Sequence, residues 1–339
     1  MPVKAYVNLK NIIYNAKLIK KRLPKGVKFC AVVKADAYGH GAEKISNAIY
    51  NIADCFAVAT VMEGVKLRLS GIDKEILVLT KTFSDELFLA VNYSLTLTAC
   101  GVQDLKRYAL EGARHQICVK VHIKYDTGMN RQGINGESAL KSALSFCKKN
   151  RYIDLCGLYS HFAFPENEKS RKSALDKFFV AKKLVKEYNK NIICHISASG
   201  GFIKGEYADM VRIGILLYGY TPFKTDAVKV KPAMKIYAPV LARKTLKRGD
   251  KALYGDKRAS KDTGITLIRY GYADGLFREE IAGQFNNRCM DLTAITGKGK
   301  TARRVLVMGN ADILAEKYGT ISYEILVKCA LRAEKEYVY

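Results

Sequence analysis

KFCAVVKADAYGHG, residues 28–41, decides how the rest of the chain is read. It begins as a run of apolar and β-branched residues, ends that run on Lys34, and passes a tyrosine and two glycines before a helical pattern starts. A short apolar run bounded by such turn signals is consistent with a strand buried on both faces, as in a parallel sheet covered by helices. The same unit recurs along the chain as CFAVAT (55–60), EILVLT (75–80), LTLTAC (95–100), ICVKVHIK (117–124), DLCGLYSHF (154–162), NIICHISAS (191–199) and MVRIGILLYG (210–219). Between the runs lie amphipathic stretches such as TVMEGVKLRLSG (60–71) and GVQDLKRYALEGAR (101–114), with the 3.6-residue apolar period and a Gly or basic residue near the end.

Eight strand–helix units predict an α/β fold closed into a (β/α)8 TIM-like barrel, whose reacting groups sit at the C-terminal ends of the strands. An open doubly wound sheet is the alternative. After TPF (221–223) the rhythm changes to short strands with turns such as RGD (248–250) and YGD (254–256), and one helix, NADILAEKYG (310–319). The expected division is a barrel over 1–225 and a mostly β C-terminal domain over 226–339. Internal repeats and low-complexity segments are absent.

Composition excludes several classes. The nine cysteines stand singly, with no C-x-x-C pair, so neither a zinc site nor a disulfide framework is expected, and no metal is predicted. The opening residues MPVKAYVNLKNIIYNAK carry lysines and asparagines where a signal peptide needs an unbroken apolar stretch, and no segment approaches a membrane span. The expectation is a cytoplasmic protein without a membrane partner. A net charge of +25 invites a nucleic-acid reading. The lysines are spread out, however, and in LDKFFVAKKLVKEYNK (175–190) they alternate with apolar residues as on a solvated helix face. No nucleic-acid partner is expected.

Two places carry chemistry. A lone lysine at a strand end ordinarily only snorkels, but Lys34 ends a barrel strand at the catalytic mouth, where desolvation lowers an amine's pKa and frees it to form a Schiff base. At the last two strand ends, SASGG (197–201) and VRIGI (211–215) offer the Ser199 hydroxyl and the Gly214 and Ile215 amides, a donor set suited to a phosphate.

Taken together these passages resemble the alanine racemase family, in order from Lys34 to Tyr323. VVKADAYGHG resembles its cofactor-lysine motif, YDTGMNRQG (125–133) its substrate-arginine motif, LYSHF its histidine strand and VRIGILLYG its ring-arginine segment. ALYGD (252–256), GYADG (271–275), RCMD (288–291) and TISYE (320–324) resemble its remaining site blocks. The resemblance implies an amino-acid racemase that interconverts L- and D-alanine for peptidoglycan, uses pyridoxal 5'-phosphate and works as a homodimer with shared active sites.

It also implies roles. Lys34 would hold the cofactor and act as one base; Tyr254, from the other subunit, would be the second, since racemisation removes a proton from one face and returns one to the other. Arg212 would donate to the pyridine nitrogen without protonating it, with His161 in its network. Tyr38, Ser199, Gly214, Ile215 and Tyr323 would bind the phosphate. Arg131 and the Met290 amide would bind the substrate carboxylate, Tyr272 would line the mouth and Asp291 support the site, while Lys124 matches a position carbamylated in some members. The chain departs from the family at Ala198 (asparagine is usual), Ile213 (proline) and Leu253 (serine), and its hairpin between GYADG and RCMD and the stretch after it are short. A serine or broader small-amino-acid racemase and a non-catalytic cofactor-binding barrel are the competing readings. An acidic ring-nitrogen partner, which a barrel decarboxylase would use, is replaced by arginine.

Overall fold

The computed structural model describes residues 1–254, 258–275, 277–278, 288–297 and 302–339. Gly255 and Asp256 of ALYGD, nearly all of the short hairpin (276 and 279–287) and residues 298–301 of the stretch after it lie outside the described residues. The first nine strands in chain order are β1 (Lys4–Asn8), β2 (Lys28–Val32), β3 (Cys55–Val58), β4 (Ile76–Lys81), β5 (Thr96–Ala99), β6 (Val119–Lys124), β7 (Ile153–Tyr159), β8 (Ile193–His195) and β9 (Met210–Ile213). Five more follow: β10 (Met234–Leu246), β11 (Thr263–Ile268), β12 (Thr293–Thr296), β13 (Arg304–Met308) and β14 (Glu334–Val338).

The chain forms two compact units, one of Ile12–Ala37 and Ala42–Lys231, the other of Met1–Asn11, Tyr38–Gly41 and Pro232–Tyr339. In the first, all eight expected runs are strands, parallel throughout, in the order β8-β7-β6-β5-β4-β3-β2-β9. The backbone bonds Asp209 N→Cys194 O (2.9 Å) and Arg212 N→Ser197 O (3.0 Å) tie the β9 segment to the β8 segment. The sheet therefore closes into a barrel, and the open doubly wound alternative does not form. Two runs contain less strand than expected. β8 ends at His195, and after β9 the residues Ile215–Tyr218 turn as a 3₁₀ segment closed by left-handed Gly219.

The helices follow their sequence signals. Val61–Leu69 starts at a capping box in which Thr60 accepts from Glu63 N and Glu63 returns to the Thr60 amide. In Glu168–Tyr188 the residues Ala174, Phe178, Ala181 and Val185 are buried at three- and four-residue spacing, and its lysines line the solvated side. No helix among the described residues is long and apolar enough to cross a membrane.

The second unit is a six-stranded sheet, β12-β11-β10-β1-β14 with β13 also on β10. β1 pairs antiparallel with β10 and parallel with β14. The reading of one helix here is corrected: Ala311–Tyr318 is followed by a second, Ser322–Cys329. Its first turn has no side-chain cap, so the usual start signal is missing, although Ile325, Leu326 and Cys329 have helical spacing and are buried.

Candidate functional site

At the end of β2 the chain takes an unusual path. Ala35, Asp36, Ala37 and Tyr38 all have φ of 50 to 54°, a turn of left-handed helix, with Ala37 N bonded to Val33 O at 2.8 Å. Left-handed residues other than glycine cost about 1–2 kcal/mol each, so surrounding contacts must hold them. Glu63 is one such contact: its carboxylate accepts from the amides of Ala35 (2.7 Å), Ala59 (2.7 Å) and Thr60 (3.2 Å), joining the ends of β2 and β3. This function was missed in the sequence, where Glu63 reads as an ordinary capping glutamate.

Lys34 stands at the start of this turn, half-buried. Burial holds its amine below the ordinary lysine value, the Arg131 charge pushes the same way, and Glu63 opposes. Lys124, at the end of β6, is buried to 7% exposure and pulled down to about 8, by burial first and then by Arg131. Arg131 is exposed on the loop whose Asp126 accepts from the Gly128 (2.8 Å) and Asn130 (3.2 Å) amides. His161 is pulled down to about 3 by burial and then by Arg212, Arg131, Lys124 and Lys34, so it is neutral at physiological pH. Among the described residues, none of these four cations has a carboxylate within ion-pair distance. A cluster of positive groups not ion-paired by acids favours an anionic ligand.

Arg212, on β9, is 3% exposed and every contact it makes is a donation. Nη1 donates to His195 Nδ1 (2.6 Å) and His195 O (3.4 Å); Nη2 donates to Ser160 O (2.7 Å), Ile196 O (3.1 Å) and His161 Nδ1 (3.2 Å). It also lies over the Tyr159 ring, 5.1 Å from the centroid. Ser199 opens the short helix Ser199–Ile203, for which Ala198 supplies no side-chain cap, and Gly214 precedes the 3₁₀ turn, also uncapped. First-turn amides have no partner within their own helix, so both places keep donors for a ligand.

The other unit holds the remaining candidates. Tyr38 is buried and Tyr323 half-buried, with ring centroids 5.8 Å apart. Burial pushes both phenols up, Tyr323 to about 12, so both are donors at neutral pH. GYADG and RCMD pack together through Tyr272 N→Cys289 O (3.1 Å) and Ala273 N→Met290 O (2.9 Å). A Cβ at Gly271 would overlap the Met290 carbonyl, so this approach requires glycine. Tyr272, Met290 and Asp291 are thereby brought together, with Asp291 bound by Arg332 Nη1 at 2.7 Å. Tyr254 follows Leu253, itself left-handed (φ 51°), and its side chain is 86% exposed.

Fold and site together define a two-part barrel enzyme with a lysine at the end of a barrel strand and a buried arginine on the neighbouring strand. The alanine racemase N-terminal domain family matches residues 7–222 and the alanine racemase C-terminal domain family residues 233–337. The chain is 31% identical to an alanine racemase of Aquifex aeolicus, covering 97% of each, and 30% identical to alanine racemase 1 of Bacillus subtilis, covering 98% of this chain and 92% of that one. The solved alanine racemase of Clostridium difficile superposes with a TM-score of 0.93 at 28% identity, covering 100% of this chain and 96% of the other. The chain belongs to the alanine racemase family.

Proposed function

We propose that this protein interconverts L- and D-alanine with pyridoxal 5'-phosphate held on Lys34, supplying D-alanine for peptidoglycan in the cytoplasm. The carrying observation is the cluster of Lys34, Lys124, Arg131 and Arg212 around neutral His161, with no carboxylate within ion-pair distance of any of the four among the described residues. The donor set fits the cofactor: an amine with a lowered pKa, a buried cation that only donates, and the Ser199 hydroxyl with two uncapped turns for a phosphate. Tyr38 and Tyr323, protonated at neutral pH, add donors.

When bound, the cofactor supplies the electron-withdrawing ring that acidifies the substrate's α-proton. Lys34, its amine held below the ordinary lysine value by burial and by Arg131, takes or returns that proton on one face, and Tyr254 of a second copy does so on the other. Arg131 and the Met290 amide hold the substrate carboxylate, Tyr272 lines the mouth and Asp291 supports it. Arg212 donates without yielding its proton, which limits charge delocalisation and disfavours side reactions. Lys124, a partly neutral amine beside Arg131, is suited to carbamylation, which would give that arginine an anionic partner. The exposure of Tyr254 supports a homodimer with shared sites, and nine free cysteines fit a reducing compartment. In this reading the barrel is drawn mainly from residues 1–225 and the β-rich domain mainly from 226–339, with Met1–Asn11 and Tyr38–Gly41 joining the β-rich unit and 226–231 the barrel unit.

The test is chiral analysis of products from L-alanine and, separately, L-serine, with added cofactor and Lys34→Ala as control. D-alanine forming much faster than D-serine is expected. The reverse ranking would make it a serine racemase, and neither product would overturn the reading.

A further inference from the structure

Inside the barrel, below the residues given roles above, lie His122 and His195. Arginine only donates, and Arg212 Nη1 is 2.6 Å from His195 Nδ1, so that nitrogen carries a lone pair. Burial and the Arg212 charge hold both imidazoles neutral, His122 pulled down to about 3 and His195 well below its ordinary value. A neutral imidazole has one proton, which His195 must therefore carry on Nε2. That atom lies 3.0 Å from His122 Nδ1, which accepts. By the same rule the His122 proton is on Nε2. This last nitrogen is buried without a hydrogen-bond partner of good geometry, and the carboxylate oxygen it faces is Glu75 Oε1, at 3.4 Å. A chain running the other way would need the guanidinium to accept.

The surroundings make room for this chain. A Cβ at Gly157 would overlap the His122 ring, and Tyr159 stacks on His195 with centroids 5.1 Å apart and planes 7° from parallel. Glu75 directly precedes β4, at the end of the parallel barrel opposite Lys34, with its side chain 31% exposed. Burial pushes the Glu75 carboxyl above its ordinary value, against the pull of Lys28, Lys120, the Thr96 hydroxyl that bonds it, and Arg68. The charged groups facing His122 are Arg212, Lys28 and Asp154.

We infer that Glu75 is a positioning residue for Arg212: it is the terminal acceptor of the donor chain Arg212, His195, His122, Glu75, whose tautomers are set from the arginine end, and by anchoring the far imidazole it holds the set of the guanidinium. What Arg212 then does for a ligand rests on the proposed function, but the direction of the chain does not.

The test uses the full-length protein with ¹⁵N in its five histidines and two-bond ¹H–¹⁵N spectra. His122 and His195 are both expected as Nε2–H tautomers; an Nδ1–H or charged ring at either overturns the inference. Glu75→Leu removes the acceptor. It should shift the His195 signals two links away and lower kcat on the order of tenfold, as loss of an orienting partner does, with KM little changed. Glu75→Gln, which keeps an accepting oxygen, should restore most of both. His195 signals unchanged in Glu75→Leu would overturn the coupling. Should that variant not fold, Glu75→Gln alone decides: a small shift at His122 and His195 is expected, and none at either refutes it. The spectra decide irrespective of racemase activity, so failure of the proposed function is read separately, in the wild-type product assay.

Discussion

The two sets of candidate residues are held by their own chain to very different degrees. Arg212 has five acceptors and is 3% exposed. Tyr254 is 86% exposed, Met290 55% and Tyr272 40%. Arg212 is fixed by the folding of one chain, its donors satisfied as buried groups must be. Tyr254, Met290 and Tyr272 of the β-rich unit are instead presented to solvent, as residues serving a second copy would be.

The sharpest way to break this contrast is to remove one residue from each side. Lys34→Ala should lower racemisation by roughly 10⁴-fold or more and abolish the borohydride-bleachable yellow colour of the protein. Tyr254→Phe should cost roughly 10²–10⁴-fold while leaving the colour. Mixing the two variants should restore activity through hybrid sites. No recovery after verified subunit exchange would mean that the exposed tyrosine serves its own chain. A subtler probe is acid. Below the ordinary histidine value of 6.5 the unfolded chain takes up protons at His122, His161 and His195, whereas the folded chain resists, His122 and His161 down to about 3. Stability from these groups is therefore whole above about 6.5 and lost as pH falls toward 3. Denaturant titrations across that window should show the decline, and His122→Asn should flatten it. Gly157→Ala, by crowding the His122 ring, should destabilise by about 1–3 kcal/mol in the same assay. Glu63→Ala should cost about 1–2 kcal/mol, since it strands amides of the turn after Lys34.

Much of the barrel was legible because buried parallel strands are apolar along their length and punctuated by helices. All eight runs from KFCAVVKA to MVRIGILLYG announce themselves in this way. Strand β1 did not, because KAYVN is five residues whose partners, β10 and β14, lie more than two hundred residues away. The helix Ser322–Cys329 hid behind a missing cap. At the site, residues with distinctive chemistry, Lys34 and Arg212, could be picked out, with the resemblance supplying their partners. His122, His195 and Glu63 could not, since their roles depend on a few ångströms across neighbouring strands. Spacing along one strand carries no such information.

The turn after Lys34 has one more consequence. Residues 35–38 follow a backbone of the opposite hand to the chain's right-handed helices, which for an L-residue is the disfavoured mirror image and for a D-residue the preferred one. A semisynthetic chain carrying D-alanine at positions 35 and 37 would sit there with its steric conflict relieved. At these two positions the loop beside Lys34 is built in the stereochemistry of the proposed product.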